Sequence, residues 1–443
     1  MKRVFWLWTA LCLLFAGAAW AQTDAAAWAR AAVEDLQQGR FEAVYERSDA
    51  QMQSALGSAG GMEQMWAQLS GTLGEASEVQ YQDGGVQSGL LVAYVRWDSQ
   101  ISESTLVFSF SDDGLLCGIG LLEQKMKAAQ ATLAPGCVEE QIALRPGQAD
   151  ESGGRLTLPE GDGPFPAVIL VPGSGPADMD ETMLSNAPLR DLAYGLALRG
   201  IASIRYDKYT YAHPQLSQRA DFTVEDEYVQ DALAAANLLA ADARVDKIYL
   251  LGHSQGAMLA PRIMAALQKS VGQRLAGGIL LAGSPMHLWE IQYHQNLRAV
   301  ALLDEDQRAA AQDEIAQEVE KIARLASLDD AELQKQTLFG INAYYQLDEM
   351  RVDAVETAVC NALPLFIAQG AQDWQVTLED GLEGWRARLP EDFAATYVVY
   401  ENMNHLLSEM AGEATGTALD YADPDARVSL ALIEDIAKWI AAQ

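Results

Sequence analysis

A chain of 443 residues, half of them apolar, has enough material for more than one packed core, which excludes a disordered or fibrous protein. Its 62 acidic residues outnumber 30 basic ones, for a formal charge of −32. Such a surface repels nucleic acid and anionic membranes, and no basic patch offsets it, so the charge reads as a solubility feature.

The N-terminus comes first. Lys2 and Arg3 precede an apolar run from Val4 to Ala19, and Ala19-Trp20-Ala21 closes it with a small-x-small pattern. This order predicts a signal peptide over residues 1–21, with a membrane anchor as the alternative. The apolar run is short for a span, so no membrane span is expected after cleavage, and the mature protein is expected to be secreted or periplasmic. Cys12 follows Leu11 and so lacks the small residue expected before a lipidated cysteine.

Apolar residues at three- and four-residue spacings predict helices over Ala25–Gln38 and Met62–Leu73. Val, Leu, Tyr and Phe then dominate Gly89–Trp97, Ser104–Ser111 and Leu115–Leu122, and Asp112-Asp113-Gly114 marks a hairpin turn. Residues 22–130 therefore read as a small α+β domain. Ala131–Gly136 is the candidate linker.

From Val138 onward strands and helices alternate, which implies a mostly parallel sheet covered on both faces. Ala167–Val171, Ile201–Ile204, Ile248–Leu251, Gly278–Ala282, Leu365–Ala368 and Thr396–Tyr400 are its predicted strands. Predicted helices cover Leu189–Arg199, Val224–Ala241 and Arg427–Ala441, the second capped by Thr223 with Asp226 in the capping-box position. Residues 286–360 break the alternation: no strand is expected there, and Leu302–Leu333 is charged and helical. The position favours a helical lid at the carboxyl edge of the sheet, with a helical decoration or dimer surface as the other reading. Leu302, Ile315, Val319, Ile322 and Leu325 form an apolar stripe that could face the sheet.

Gly252-His253-Ser254-Gln255-Gly256 carries the chemistry. It matches G-x-S-x-G between a predicted strand and a predicted helix, the setting that makes Ser254 a candidate nucleophile. A serine hydroxyl needs a base. Of the five histidines, His405 alone follows a late strand. His253 lies in the turn, His213 follows too early a strand, and His287 and His294 sit where the insertion begins. Asp373, at the end of Leu365–Ala368, is the candidate acid. Glu379 and Asp380 compete but fall in the following helix. The developing oxyanion needs two backbone donors. Gln255 N–H supplies one, and the Pro172-Gly173-Ser174-Gly175-Pro176 loop supplies the other, from Ser174 or, as second choice, Gly175.

The segments LVPGSGPADMDET, DLAYGLALRGIASIRYDK, GHSQG, QGAQDWQV and NHLL resemble a family of bacterial secreted α/β hydrolases that carry an extra domain ahead of the catalytic one. The resemblance covers residues 138–443 well. It implies an α/β-hydrolase fold with a helical lid, preceded by the α+β domain and signal peptide, and an esterase-type serine hydrolase with Ser254, Asp373 and His405 as its triad. Pro172 stands where relatives usually carry the histidine of a His-Gly pair, which puts the detail of the oxyanion loop in question. The N-terminal domain resembles the cone-shaped fold of nuclear transport factors.

The expected reaction is hydrolysis of a small-molecule carboxylic ester through an acyl-enzyme, with no cofactor and no metal. A peptidase of the same fold and a catalytically inactive binding protein are the rivals, and a homodimer is left open. Asp207 and Lys208 read as braces at a strand end, Asp178 and Asp180 as solvated loop acids. Met286, Trp289 and Tyr293 read either as an acyl pocket or as core. Cys117 and Cys137 could pair; the simpler reading is that they and Cys360 are buried small residues.

Overall fold

The computed structural model describes residues 25–87, 89–99, 102–126, 133, 135–301, 305–423 and 425–443. The signal-peptide reading, half of the candidate linker and Leu302 lie outside them. The chain divides into two compact units, 1–125 and 126–443. Among the described residues no helix is long and apolar enough to cross a membrane.

In the first unit, helices Ala25–Gln37 and Ala59–Leu73 precede a four-stranded sheet in sequence order, Ala76–Gln87, Leu90–Ser99, Ser102–Phe110 and Leu116–Met126. Val33, Leu36 and Trp66 from the helices meet Val95, Trp97 and Phe108 from the strands in one core. Ser102–Phe110 alternates in burial as a two-residue period demands. Gly114, with φ +84°, turns the expected hairpin. The Ala76–Gln87 strand escaped the sequence reading. It is an edge strand with no fully buried residue, so its composition is polar and carries no alternation signal.

The second unit is built on an eight-stranded sheet. From one edge its order is Ala395–Tyr400, Leu365–Gly370, Leu275–Leu281, Val245–His253, Phe165–Val171, Ala202–Tyr206, Ser152–Pro159 and Cys137–Leu144. The first six run parallel and the last two pair antiparallel. The sequence reading missed that antiparallel pair. The central strands are buried along almost their whole length because helices cover both faces. Gln230–Ala241 and Gln255–Val271 pack on one side; Pro188–Ala197 and Leu430–Ala442 pack on the other. This is the α/β-hydrolase fold that the resemblance implied.

The insertion leaves after Leu281 and contains helices Leu288–Ala301, Glu305–Leu325, Asp330–Leu333, Ala343–Met350 and Ala354–Asn361. A two-residue ladder, Thr337–Leu338 with Ile341–Asn342, corrects the expectation of no strand. The apolar stripe is also corrected in its target. Ile322 and Leu325 close a cluster with Trp289, Leu333 and Leu338 inside the insertion, so the stripe serves the insertion's own core.

The helix expected over Val224–Ala241 begins with a π-turn, Glu225–Val229, before Gln230–Ala241. Its capping box forms as expected: Thr223 N–H donates to Asp226 Oδ2 at 3.0 Å, and Asp226 N–H donates to Thr223 Oγ1 at 3.4 Å. Cys117, Cys137 and Cys360 are free thiols; of the three only Cys137 is buried, Cys117 is half-buried and Cys360 is exposed.

Candidate active site

Parallel strands deliver their carboxyl ends to one edge of a sheet, where loops can converge. Here that edge carries Val171, His253, Leu281, Gly370 and Tyr400.

Ser254 follows His253 directly, with φ +52° and ψ −118°, and the helix Gln255–Val271 starts at the next residue. A non-glycine residue in that region is strained, and the surrounding backbone must hold it. Ser254 N–H donates to Leu281 O at 2.9 Å, which ties the turn to the neighbouring strand end. The flanking glycines are required by space. A Cβ on Gly252 would sit 2.3 Å from Gly256 O, and one on Gly256 would sit 2.5 Å from Pro172 O.

The structure brings the three predicted side chains together. His405 Nε2 lies 3.1 Å from Ser254 Oγ, and His405 Nδ1 lies 2.8 Å from Asp373 Oδ2. The carboxylate can only accept, so Nδ1 carries the proton and Nε2 is free to accept from Ser254. Asp373 is held from every side by donors. Gln369 Nε2 donates to Oδ2 at 2.8 Å, and the N–H groups of Gln375 and Val376 donate to Oδ1 at 2.9 Å each. Both Asp373 and His405 are buried. The strands Leu365–Gly370 and Ala395–Tyr400 pair in register up to Gly370 and Tyr400, so the two loops leave side by side.

Glu379 and Asp380 do not compete for this place. They lie in the turn before helix Leu382–Arg388 rather than in the helix. Asp380 is buried against the insertion, where His294 Nδ1 reaches it at 2.6 Å and Arg298 NH1 at 2.8 Å. Burial pushes its carboxyl up, but the hydrogen bonds from Arg298 and His294 and the Arg298 charge outweigh it and hold it below the usual range.

Ser254, Ser174, Gly175 and Gln255 line one cavity of about 520 Å³. Gly173 N–H is not available to a substrate, since Glu181 Oε1 accepts from it at 2.5 Å. Glu181 was not singled out by sequence. Its Oε1 also lies 2.9 Å from Nδ1 of buried His253, whose Nε2–H donates to the carbonyl of His405 at 2.8 Å. Burial opposes charge on that ring, but Glu181 and the His405 carbonyl outweigh it and raise its pKa. One imidazole, through Glu181, thus ties the Gly173 loop to the backbone at His405.

The insertion contributes to the same cavity through Leu288, Ile291, Gln292 and Gln295, one face of a helix at i, i+3, i+4 and i+7. Trp289 and Tyr293 are out of that phase, and neither they nor Met286 lines the cavity. Trp289 packs in the insertion's core. The periodicity was present in the sequence; which face looked inward was not. Tyr345 adds its hydroxyl, to which Gln255 Nε2 donates at 3.3 Å.

Asp178 and Asp180 are not solvated. Asp178 Oδ2 accepts from Thr182 Oγ1 at 2.8 Å, and Asp180 Oδ1 from Arg205 Nε at 2.7 Å. Asp207 braces its strand end as expected, accepting from Met179 N–H at 2.9 Å.

Fold and edge geometry define the class, an α/β hydrolase. Residues 187–409 match the family model described as Serine aminopeptidase, S33, and the chain belongs to that family. Esterase EstD of Thermotoga maritima is 33% identical over 287 residues, covering 65% of this chain and 65% of that protein. The alignment therefore spans a little less than two thirds of the relative's length. Among solved structures, Est1E from Butyrivibrio proteoclasticus is 15% identical, with a TM-score of 0.43 over 68% of this chain and 97% of its own. An esterase of Pyrococcus furiosus is 13% identical, with a TM-score of 0.42 over 71% and 96%. At that identity and score neither likeness bears on what the chain does.

Proposed function

We propose that the protein hydrolyses carboxylic esters through an acyl-enzyme on Ser254. The observation that carries the reading is the continuous hydrogen-bonded path from Asp373 through His405 to a hydroxyl on a strained turn. Ser254 Oγ attacks the ester carbonyl while His405 Nε2 takes its proton. Charge on the former carbonyl oxygen is met by the N–H groups of Gln255 and Ser174. The alcohol leaves with the proton from His405, and water repeats the sequence on the acyl-enzyme. The residues present call for no metal or cofactor in these steps.

The family description makes aminopeptidase the rival. Holding a free α-amino group requires an unengaged acidic side chain near the nucleophile. Among the described cavity-lining residues the one acid is Glu227, and Lys208 already pairs with it at 2.7 Å. A relative named as an esterase supports the same choice. The cavity mixes apolar Met258, Leu288 and Ile291 with polar Gln292, Gln295 and Asn342, which suits a small ester better than a long bare chain. The reading includes insertion helices that act as a lid, carried by their share of the cavity wall. It also includes export, carried by the basic, apolar and small-residue order of residues 2–21.

The test is turnover of p-nitrophenyl esters of short and long acyl chains beside aminoacyl p-nitroanilides. Ester turnover that labelling of Ser254 abolishes supports the proposal. Anilide turnover exceeding ester turnover would replace it with the peptidase.

A further inference from the structure

Lys208 ends the run Arg205-Tyr206-Asp207-Lys208 and is 1% exposed. Taking an ammonium out of water costs several kcal/mol, so such a group persists only among good partners. Nζ lies 2.8 Å from Gly173 O, 2.9 Å from Gly175 O, 2.6 Å from Tyr228 Oη and 2.7 Å from Glu227 Oε1. Burial lowers the lysine's pKa, and the Glu227 carboxylate opposes that. Two of the partners are carbonyls of the loop that faces Ser254. A brace for a strand end does not need them.

The covalent geometry of the loop gives this contact a direction. The Gly173 carbonyl and the Ser174 N–H belong to one peptide group, and in a trans peptide they point opposite ways. With Gly173 O drawn toward Lys208 and toward Tyr228 Oη, also 2.8 Å away, the Ser174 N–H is turned to the other side. A cation on the carbonyl also polarises the peptide and strengthens its N–H as a donor. Tyr228 Oη further lies 3.0 Å from Gln255 Oε1, so the cluster touches Gln255 as well as the Gly173–Ser174 peptide. Glu227 and Tyr228 enter it from the π-turn Glu225–Val229, a local distortion often found at functional sites.

We propose that Lys208, supported by Tyr228, is a positioning residue for the oxyanion hole: its ammonium holds the Gly173–Ser174 peptide with the N–H aimed at the reacting carbonyl. The inference rests on the ester-hydrolase reading. Lys208 touches no substrate. Its effect falls on the oxyanion, where charge is greatest in the transition state, and hardly on ground-state binding.

The test compares Lys208→Met and Tyr228→Phe with the wild type. The readouts are kcat and KM for p-nitrophenyl acetate, inhibition by a trifluoromethyl ketone, and the infrared carbonyl stretch of the acyl-enzyme. The ketone adds Ser254 Oγ to its carbonyl carbon, passes the serine proton to His405 and places a full oxyanion in the hole. Losing one donor outright costs about 10²–10³ in kcat. Lys208→Met should lose about 100-fold in kcat and Tyr228→Phe about 10-fold, at nearly constant KM. Ketone affinity should fall by the same factors, and the acyl stretch should move to higher frequency. A purely structural lysine would leave the stretch and the ratio of ketone Ki to ester KM unchanged. If Lys208→Met fails to fold because Glu227 is stranded, the double variant Lys208→Met with Glu227→Gln restores neutrality, and Tyr228→Phe gives the same readouts. Wild-type-like kcat and stretch in folded variants overturn the inference alone. A wild type that a fluorophosphonate does not label at Ser254 overturns the ester-hydrolase reading, and the inference with it.

Discussion

Replacing Asp373 by asparagine tests the relay at its most constrained member. All of its partners are donors: His405 Nδ1 and Gln369 Nε2 face Oδ2, and the N–H groups of Gln375 and Val376 face Oδ1. An asparagine must aim its NH2 at one of these pairs. Aimed at the backbone pair, it strands two buried donors, at about 1–3 kcal/mol each. Aimed at the side-chain pair, it strands only Gln369 Nε2, because His405 escapes by moving its proton to Nε2. Gln369 cannot readily flip, since the same nitrogen also donates to Val376 O at 2.8 Å. The second orientation therefore wins by about one donor, 1–3 kcal/mol. It leaves His405 presenting Nε2–H to Ser254, a tautomer that cannot accept the serine proton. At roughly 1.36 kcal/mol per factor of ten, the tautomer bias supplies about one to two decades. Loss of the negative charge beside the imidazolium supplies the rest of a total near 10⁴ in kcat. The assay is the initial rate and burst size with p-nitrophenyl acetate for Asp373→Asn and, beside it, Asp380→Asn. Asp380→Asn should keep most of its turnover, because its carboxylate meets only His294 and Arg298. An Asp373→Asn enzyme within tenfold of wild type, or an Asp380→Asn enzyme equally impaired, would refute the reasoning.

Four further outcomes are expected. Ser254→Ala should lose about 10⁶ in kcat with an unchanged circular-dichroism spectrum and melting temperature; a retained tenth of the activity would remove Ser254 from the mechanism. Ile291→Ala, on the cavity-facing side of its helix, should shift the kcat/KM ratio of short to long esters by about 10-fold. Trp289→Ala should leave that ratio alone and lower stability in urea unfolding, because Trp289 packs, half-buried, against the insertion's core. Burial raises the Asp231 carboxyl to about 6, with Arg145 opposing. The folded state then holds a proton that the unfolded chain has released, so this group's contribution to stability is complete below about pH 4 and lost as pH rises to about 6. Asp231→Asn should remove that part of the slope in a urea-midpoint profile from pH 4 to 7; parallel profiles would contradict it.

Local signals in the sequence were enough for the elements whose chemistry is local. Gly252 and Gly256 announce the elbow because their missing Cβ atoms are needed within the turn and against the adjacent loop. Thr223 and Asp226 announce a helix start, and Asp112-Asp113-Gly114 a hairpin, through bonds spanning a few residues. Chain order along a parallel sheet extended this to Ser254, Asp373 and His405, since successive strands deliver their loops to one edge.

Other features depended on partners distant in sequence, and only the tertiary structure could supply those. Gln255 donates to Tyr345, and Asp380 accepts from His294 and Arg298, each across 82 residues or more. Asp178 and Asp180 look like surface charges in any local window, and Lys208 like a strand-end brace; converging donors, and for Lys208 full burial among acceptors, make them part of the framework. The inward face of helix Leu288–Ala301 was likewise undecidable, since a helix with apolar residues on more than one side takes its orientation from what packs against it. The polar strand Ala76–Gln87 is extended because Leu90–Ser99 pairs with it. Pattern and glycine spacing therefore determined the turns, the sheet class and the candidate nucleophile. Which charges are buried, and which helix face lines the cavity, was decided by packing, because desolvation and contact exist only once the chain has closed on itself.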